Sequence, residues 1–173
     1  MQTATELQEG LAHIGASPRD EGTLELIVRR PAENEREVLD EGQLDLDLGL
    51  VGDMWHVHGT PNPDAQLTLM NARSAELIAQ GKDRWPLAGD QLYVDFDLSV
   101  GNLPPGTRVS VGDAVVEVTA LPHTGCGKFT ERFGSDAVKF VNQPPGRALR
   151  LRGVNAKVIT PGVIRVGDVV NKQ

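Results

Sequence analysis

A mostly β (α+β) domain, built as a mostly antiparallel barrel with a few short helices, is what this chain of 173 residues predicts. Three observations predict it. Short segments of period-two alternation recur along the chain, 19 glycines and 11 prolines punctuate them, and only one or two stretches carry apolar residues at helical spacing.

The first 20 residues are polar and are set apart as an N-terminal extension, either a short helix or loose chain; residues 21–173 form a single domain. TLELIVRRP, from Thr23, alternates and ends at a proline, which suits an edge strand. A second strand follows around Arg36 to Leu39, then a turn at Glu41 and Gly42 and a short apolar segment ending at Gly52 and Asp53. Gln66 to Met70 is β-prone. Asn71 is placed to cap a helix over Ala72 to Gln80, which Gly81 stops.

Further strands are expected at Tyr93 to Asp97, Arg108 to Val111 and Ala114 to Ala120. Ser135 is placed to cap a short helix through Val141, closed by NQPPG, and RALRLRGVNAKVITPGVIRVGDVV gives short strands again. The triplet VGD at Val51, Val111 and Val166 reads as reused turn chemistry, since its neighbours do not match.

A net charge of −7 argues against nucleic-acid binding, because the phosphate backbone selects a basic surface. The charge is unevenly spread. Residues 1–127 carry 8 Lys and Arg against 21 Asp and Glu, a balance of −13, whereas residues 128–173 carry 9 against 3, a balance of +6. No segment reaches the roughly 20 apolar residues of a membrane span, and the N-terminus lacks the order of a signal peptide, so a cytoplasmic protein with no membrane partner is expected. One cysteine cannot form an internal disulfide.

That cysteine, Cys126, sits in ALPHTGCGKFTERFG. A free cysteine is ordinarily a small buried hydrophobe. Three local features argue for chemistry instead. Gly125 and Gly127 leave the adjacent backbone open and free to adopt positive φ; His123, Lys128 and Arg132 supply positive charge that favours the thiolate; and Pro122 and Gly134 mark the segment as a loop.

His56 and His58 form an H-x-H pair which, on a strand, would put both rings on one face, half of a zinc site without a second half in the sequence. A structural or substrate-contacting role suits them better. Asp45 with Asp47, and Asp95 with Asp97, read as solvent-facing pairs on strands. Arg147, Arg150 and Arg152 form either a solvated strand face, with Arg150 and Arg152 together opposite Leu149 and Leu151, or an anion pocket near Cys126. Phosphate-binding loops and the GxSxG elbow are absent from the sequence.

In order along the chain, WHVHGT, LTLMNAR, PLAGDQLYVD, DLSVGNLPPGTRVSVGDAVVEVT, PHTGCGKF and RGVNAKVITPGVIRVGDVV resemble a MOSC domain, the module named after the C-terminal part of molybdenum-cofactor sulfurases. The resemblance spans roughly Gly49 to Val170 and implies a MOSC-type β-barrel in a standalone, bacterial-type protein. It implies that Cys126 either carries sulfur as a persulfide or ligates molybdenum, chemistry open to a low-pKa, soft thiolate. His123 and Lys128 are then candidate catalytic partners of Cys126, and Asn102, Thr124, Arg147 and His58 candidate contacts to the molybdenum cofactor, molybdopterin.

Two departures accompany the resemblance. Gly101, Asn102 and Leu103 stand where the family often has Glu-Asn-Leu, and Ala65 and Gln66 stand where Arg-Gln commonly follows the His-Gly segment. Arg73, Lys128 or Arg147 is left to replace that arginine. Larger sulfurases add a pyridoxal-phosphate domain. The association with that cofactor stays at family level, because this chain shows no Schiff-base lysine context.

Three readings of function compete. A sulfur carrier or transferase would pass sulfane sulfur from a donor to a metal centre or a cofactor-processing enzyme. A molybdopterin-binding oxidoreductase would use Cys126 as its molybdenum ligand. A non-catalytic module would bind a small anionic or N-hydroxylated compound. The sulfur carrier is placed first at this point.

Overall fold

The structure, a computed structural model, describes residues 1–57 and 59–173. The N-terminal segment is helical, with α1 (Ala4–Glu9) and α2 (Leu11–Gly15). Thr3 and Glu6 form a reciprocal capping box on α1, and Leu7 and Ile14 are buried against the helices described below.

Strands β1 (Glu21–Arg29), β2 (Glu37–Leu39), β3 (Glu41–Asp45), β4 (Gly49–Leu50), β5 (Leu67–Asn71), β6 (Leu92–Asp95), β7 (Arg108–Val111), β8 (Ala114–Val118), β9 (Val154–Thr160), β10 (Gly162–Arg165) and β11 (Val169–Lys172) follow in chain order. Among the described residues seven of them close a barrel in the order β11, β7, β8, β9, β5, β6, β1, sealed by the pairing of β1 with β11. β5 and β6 run parallel and the other pairings are antiparallel. Closure removes exposed edges from the ring. β2 is added outside β1, and β10, β3 and β4 form a small second sheet whose Ile164, Leu44 and Leu50 enter the barrel core.

Several local readings are corrected. β1 is not an edge strand: it pairs with β6, β11 and β2. A bulge between Leu24 and Leu26 resets its alternation, so Leu24 and Ile27 join the barrel core while Leu26 and Val28 face the helices. Glu41 and Gly42 lie in β3, and the chain turns instead at residues 46–48, where Asp45 accepts from the Asp47 and Leu48 amides. Asp45 thus stabilises a turn, and Asp95 pairs with Arg73 rather than facing solvent alone.

Helices α3 (Ala72–Ala79), α4 (Gly127–Phe133), α5 (Ser135–Asn142) and α6 (Gly146–Leu149) cover one outer face of the barrel. Asn71 caps α3 by accepting from the Arg73 amide. Ser135 is the first residue of α5 and not its cap, a position held by Gly134. Residues 146–149 are helical and Arg150 takes a left-handed conformation (φ 49°), so the run from Arg147 to Arg152 is not a strand and its arginines share no strand face. No helix among the described residues is long and apolar enough to cross a membrane.

Candidate functional site

β6 and β9 both take register from Leu69 of β5, whose partners are Leu92 and Val154. The loops leading into these strands therefore flank one strand. They carry Asp90 and Arg152, which meet in a buried ion pair with Arg152 Nη1 2.5 Å from Asp90 Oδ2. Asp90 is fully buried and Arg152 is 6% exposed. Arg152 also donates through Nη2 to the Ala88 carbonyl, and its guanidinium lies 5.0 Å from the Phe129 ring centre. Its Nε is buried without a hydrogen-bond partner among the described residues, an unusual state for a buried donor.

The other oxygen of Asp90, Oδ1, lies 2.9 Å from His123 Nε2. Burial alone would push the Asp90 carboxyl up, but the charges of Arg152 and His123 and the hydrogen bonds from both hold it at about 2. Asp90 is therefore ionised and can only accept, so the Nε2 proton belongs to His123.

The loop before Cys126 is held from three sides. Asn155 donates to the carbonyls of Leu121 and Pro122, His123 engages Asp90, and Asn142 clamps Gly125 by accepting from its amide (2.8 Å) and donating to its carbonyl (2.9 Å). Cys126 holds the N-cap position of α4, which Phe129 and Phe133 anchor in the outer core with rings 4.9 Å apart. The thiol is exposed.

The Cys126 pKa is lowered, first by the backbone amide of Phe129, then against partial burial by the Lys128 amide and the charge of Arg152. These amides close no capping hydrogen bond with the sulfur. The ammonium of Lys128 pairs with Glu33 of the same cleft at 3.3 Å, both side chains largely exposed.

Two clefts meet here. One, of about 230 Å³, is lined by Cys126, His123, Lys128, Arg30, Arg36, Arg132 and Arg152 among others. Its neighbour, of about 190 Å³, is lined by Thr119, Asn155, Arg147, Arg150, Arg152 and His123. His123 and Arg152 form the wall between them.

Of the residues singled out from the sequence, Cys126, His123 and Lys128 share the first cleft and Arg147 lines the second. Thr124 is exposed and lines neither. Asn102 is buried elsewhere, donating to the carbonyls of Arg19 and Asp97 and accepting from Lys172, so its work is structural. Arg73 is paired with Asp95 away from both clefts. His56 lies exposed on a 3-10 turn, not a strand; His58 lies outside the described residues.

Sequence reasoning missed Asp90, Asn142 and Arg36. Asp90 stands in PLAGDQLYVD as one acidic residue among 24 Asp and Glu, with nothing local to mark it as buried.

Fold and site together define a closed mixed β-barrel carrying a helix-mounted cysteine beside two arginine-lined clefts. The family model of the MOSC domain matches residues 52–171, and the chain belongs to that family.

Solved structures share the fold at low identity. A hypothetical protein superposes with a TM-score of 0.62 at 23% identity, over 89% of this chain and 68% of its own. YuaD from Bacillus subtilis gives 0.57 at 15%, over 88% and 97%. YiiM from Escherichia coli gives 0.57 at 21%, over 87% and 69%. No curated protein matches the chain.

Proposed function

We propose that this MOSC protein binds a molybdopterin-type cofactor across its two clefts, with Cys126 as the thiolate ligand of molybdenum, and acts as an oxidoreductase. Arg152 carries this reading: it lines both clefts, and its buried Nε is a donor without a partner among the described residues, an unusual state that a polar or anionic group bound beside it would relieve. Arg147, Arg150 and Arg152 would hold the anionic end, and Thr119 and Asn155 offer polar groups beside them.

Among the described residues no group of three His, Cys, Asp or Glu side chains is placed to hold a metal ion. Molybdenum held by Cys126 would thus draw its remaining ligands from the cofactor. When bound, the cofactor would supply two-electron redox chemistry. The chain's own contribution is to lower the Cys126 pKa, so that the soft thiolate is available, and to lock the ring of His123 by its contact with Asp90. The test is metal and pterin analysis of protein made in a host that synthesises the cofactor. Molybdenum and fluorescent oxidised pterin are expected in the native chain and lost in Cys126→Ser; native protein free of both sinks the proposal.

The exposure of the thiol favours a second reading, a sulfur carrier. Here the Cys126 thiolate attacks the terminal sulfur of a donor persulfide, the donor's S–S bond breaks, and the donor leaves as a thiolate. Mass spectrometry after incubation with a persulfide would show the added sulfur at Cys126. Equal labelling of Cys126→Ser would exclude it.

A further inference from the structure

Five cationic side chains line the Cys126 cleft, and three have acidic partners. Arg30 is bidentate to the buried Asp53 (3.0 and 2.8 Å), Arg152 pairs with Asp90, and Lys128 with Glu33. Arg36 and Arg132 differ: among the described residues neither forms an ion pair. Arg36 is held by the carbonyls of Pro86 (3.1 Å) and Glu35 (2.7 Å), and Arg132 by that of Leu87 (2.8 Å). Main-chain carbonyls fix the two guanidiniums in place without neutralising them.

The pair costs the fold something. Both side chains are half-buried, and burial followed by the charges of Arg132 and Arg30 lowers the Arg36 pKa. Two like charges anchored in one concave site are stabilised by an anion between them. The cleft is more than a cysteine with basic neighbours, because Arg152, 6% exposed, lines the same cavity and its buried Nε has no partner among the described residues.

We propose that Arg36 and Arg132 form a substrate-selecting anion clamp, which directs a small carboxylate- or phosphate-bearing molecule to the Cys126 end of the cleft. This rests on reading Cys126 as the functional thiolate and goes beyond the cofactor reading, which places the cofactor's anionic end among Arg147, Arg150 and Arg152. Arg36 and Arg132 are binding residues for the substrate's charge and line the same cleft as Cys126.

Because Cys126 is the sole cysteine, alkylation reports on this cleft alone. The full chain, expressed in a host lacking the cofactor, is reacted with anionic iodoacetate and with neutral iodoacetamide. The clamp predicts an iodoacetate-to-iodoacetamide rate ratio about tenfold above that of the denatured chain, the low end of electrostatic steering. Arg132→Gln and Arg36→Gln should return the ratio towards the denatured value, and Arg132→Lys should retain much of it, with thermal melts confirming that each variant is folded.

Protection from iodoacetate by inorganic phosphate would mark the substrate as a phosphate, and protection by acetate alone as a carboxylate; protection by neither overturns the proposal. A ratio unchanged in folded Arg132→Gln also overturns it. So does loss of pterin from Arg132→Gln made in a cofactor-producing host, since the arginine would then serve the cofactor. Native protein without pterin but with the raised ratio sinks only the cofactor reading and leaves the clamp supported.

Discussion

Asp90 and Arg152, 62 residues apart in sequence, form an ion pair with almost no solvent access, and the second oxygen of the same carboxylate holds His123. One buried group thus fixes both residues of the wall between the clefts. Burying an ion pair is expensive in itself, so such a pair is better read as a positioning device than as a source of stability.

Removing one partner leaves the other buried and uncompensated. Asp90→Asn should cost about 3–5 kcal/mol, read by chemical denaturation. In the double variant Asp90→Asn with Arg152→Gln the loss should be smaller than the sum of the two single losses, because no lone charge remains inside. Strict additivity would show that the two residues do not act as a pair.

Acid should remove the same contribution. The Asp90 pKa is depressed from the ordinary 3.8 to about 2. A depressed carboxyl contributes stability that is present in full above 3.8 and lost as pH falls towards 2. At about 1.4 kcal/mol per pH unit this amounts to roughly 2 kcal/mol. Between pH 5 and pH 2 the native chain should lose more stability than Asp90→Asn by about that amount; equal losses would contradict the assignment.

The Cys126 thiol should alkylate with a pH midpoint below that of an ordinary cysteine, because the Phe129 and Lys128 amides and the Arg152 charge favour the thiolate. Unfolding in denaturant should move the midpoint up. Identical midpoints in the folded and unfolded chain would remove the electrostatic basis for a reactive thiolate.

The glycines beside Cys126 should respond differently to alanine. A Cβ at Gly125 would lie 2.9 Å from Val138 Cγ2 and 3.1 Å from Val141 Cγ2, both on stiff β-branched side chains. Gly125→Ala should therefore cost about 1–3 kcal/mol by overpacking. A Cβ at Gly127 meets nothing within 4 Å and sits at the start of α4. Gly127→Ala should be neutral or stabilise by up to about 1 kcal/mol. Neither glycine has positive φ, so the freedom expected of them from the sequence is not what the fold uses. Thermal melts of the two variants check the contrast.

The barrel was legible from residues because strand alternation and glycine turns are local properties: Arg108 to Val111 is a strand as read, and Asn71 caps its helix as read. Cys126 stood out for a similar reason, as a lone thiol framed by glycines and cations. What stayed illegible depends on contacts between distant segments. The phase of β1 turns on a bulge against β6. The roles of Asp90, Asn142 and Asn155 come from partners 62, 17 and 34 residues away. Arg152 looked like the partner of Arg150 on one strand face, yet it is the buried one, because residues 146–149 fold as a helical turn and Arg150 reverses the chain. Local sequence determined the elements and marked Cys126 as the candidate thiol; closure of the barrel decided which charges are buried near it, since burial is a property of the assembled fold.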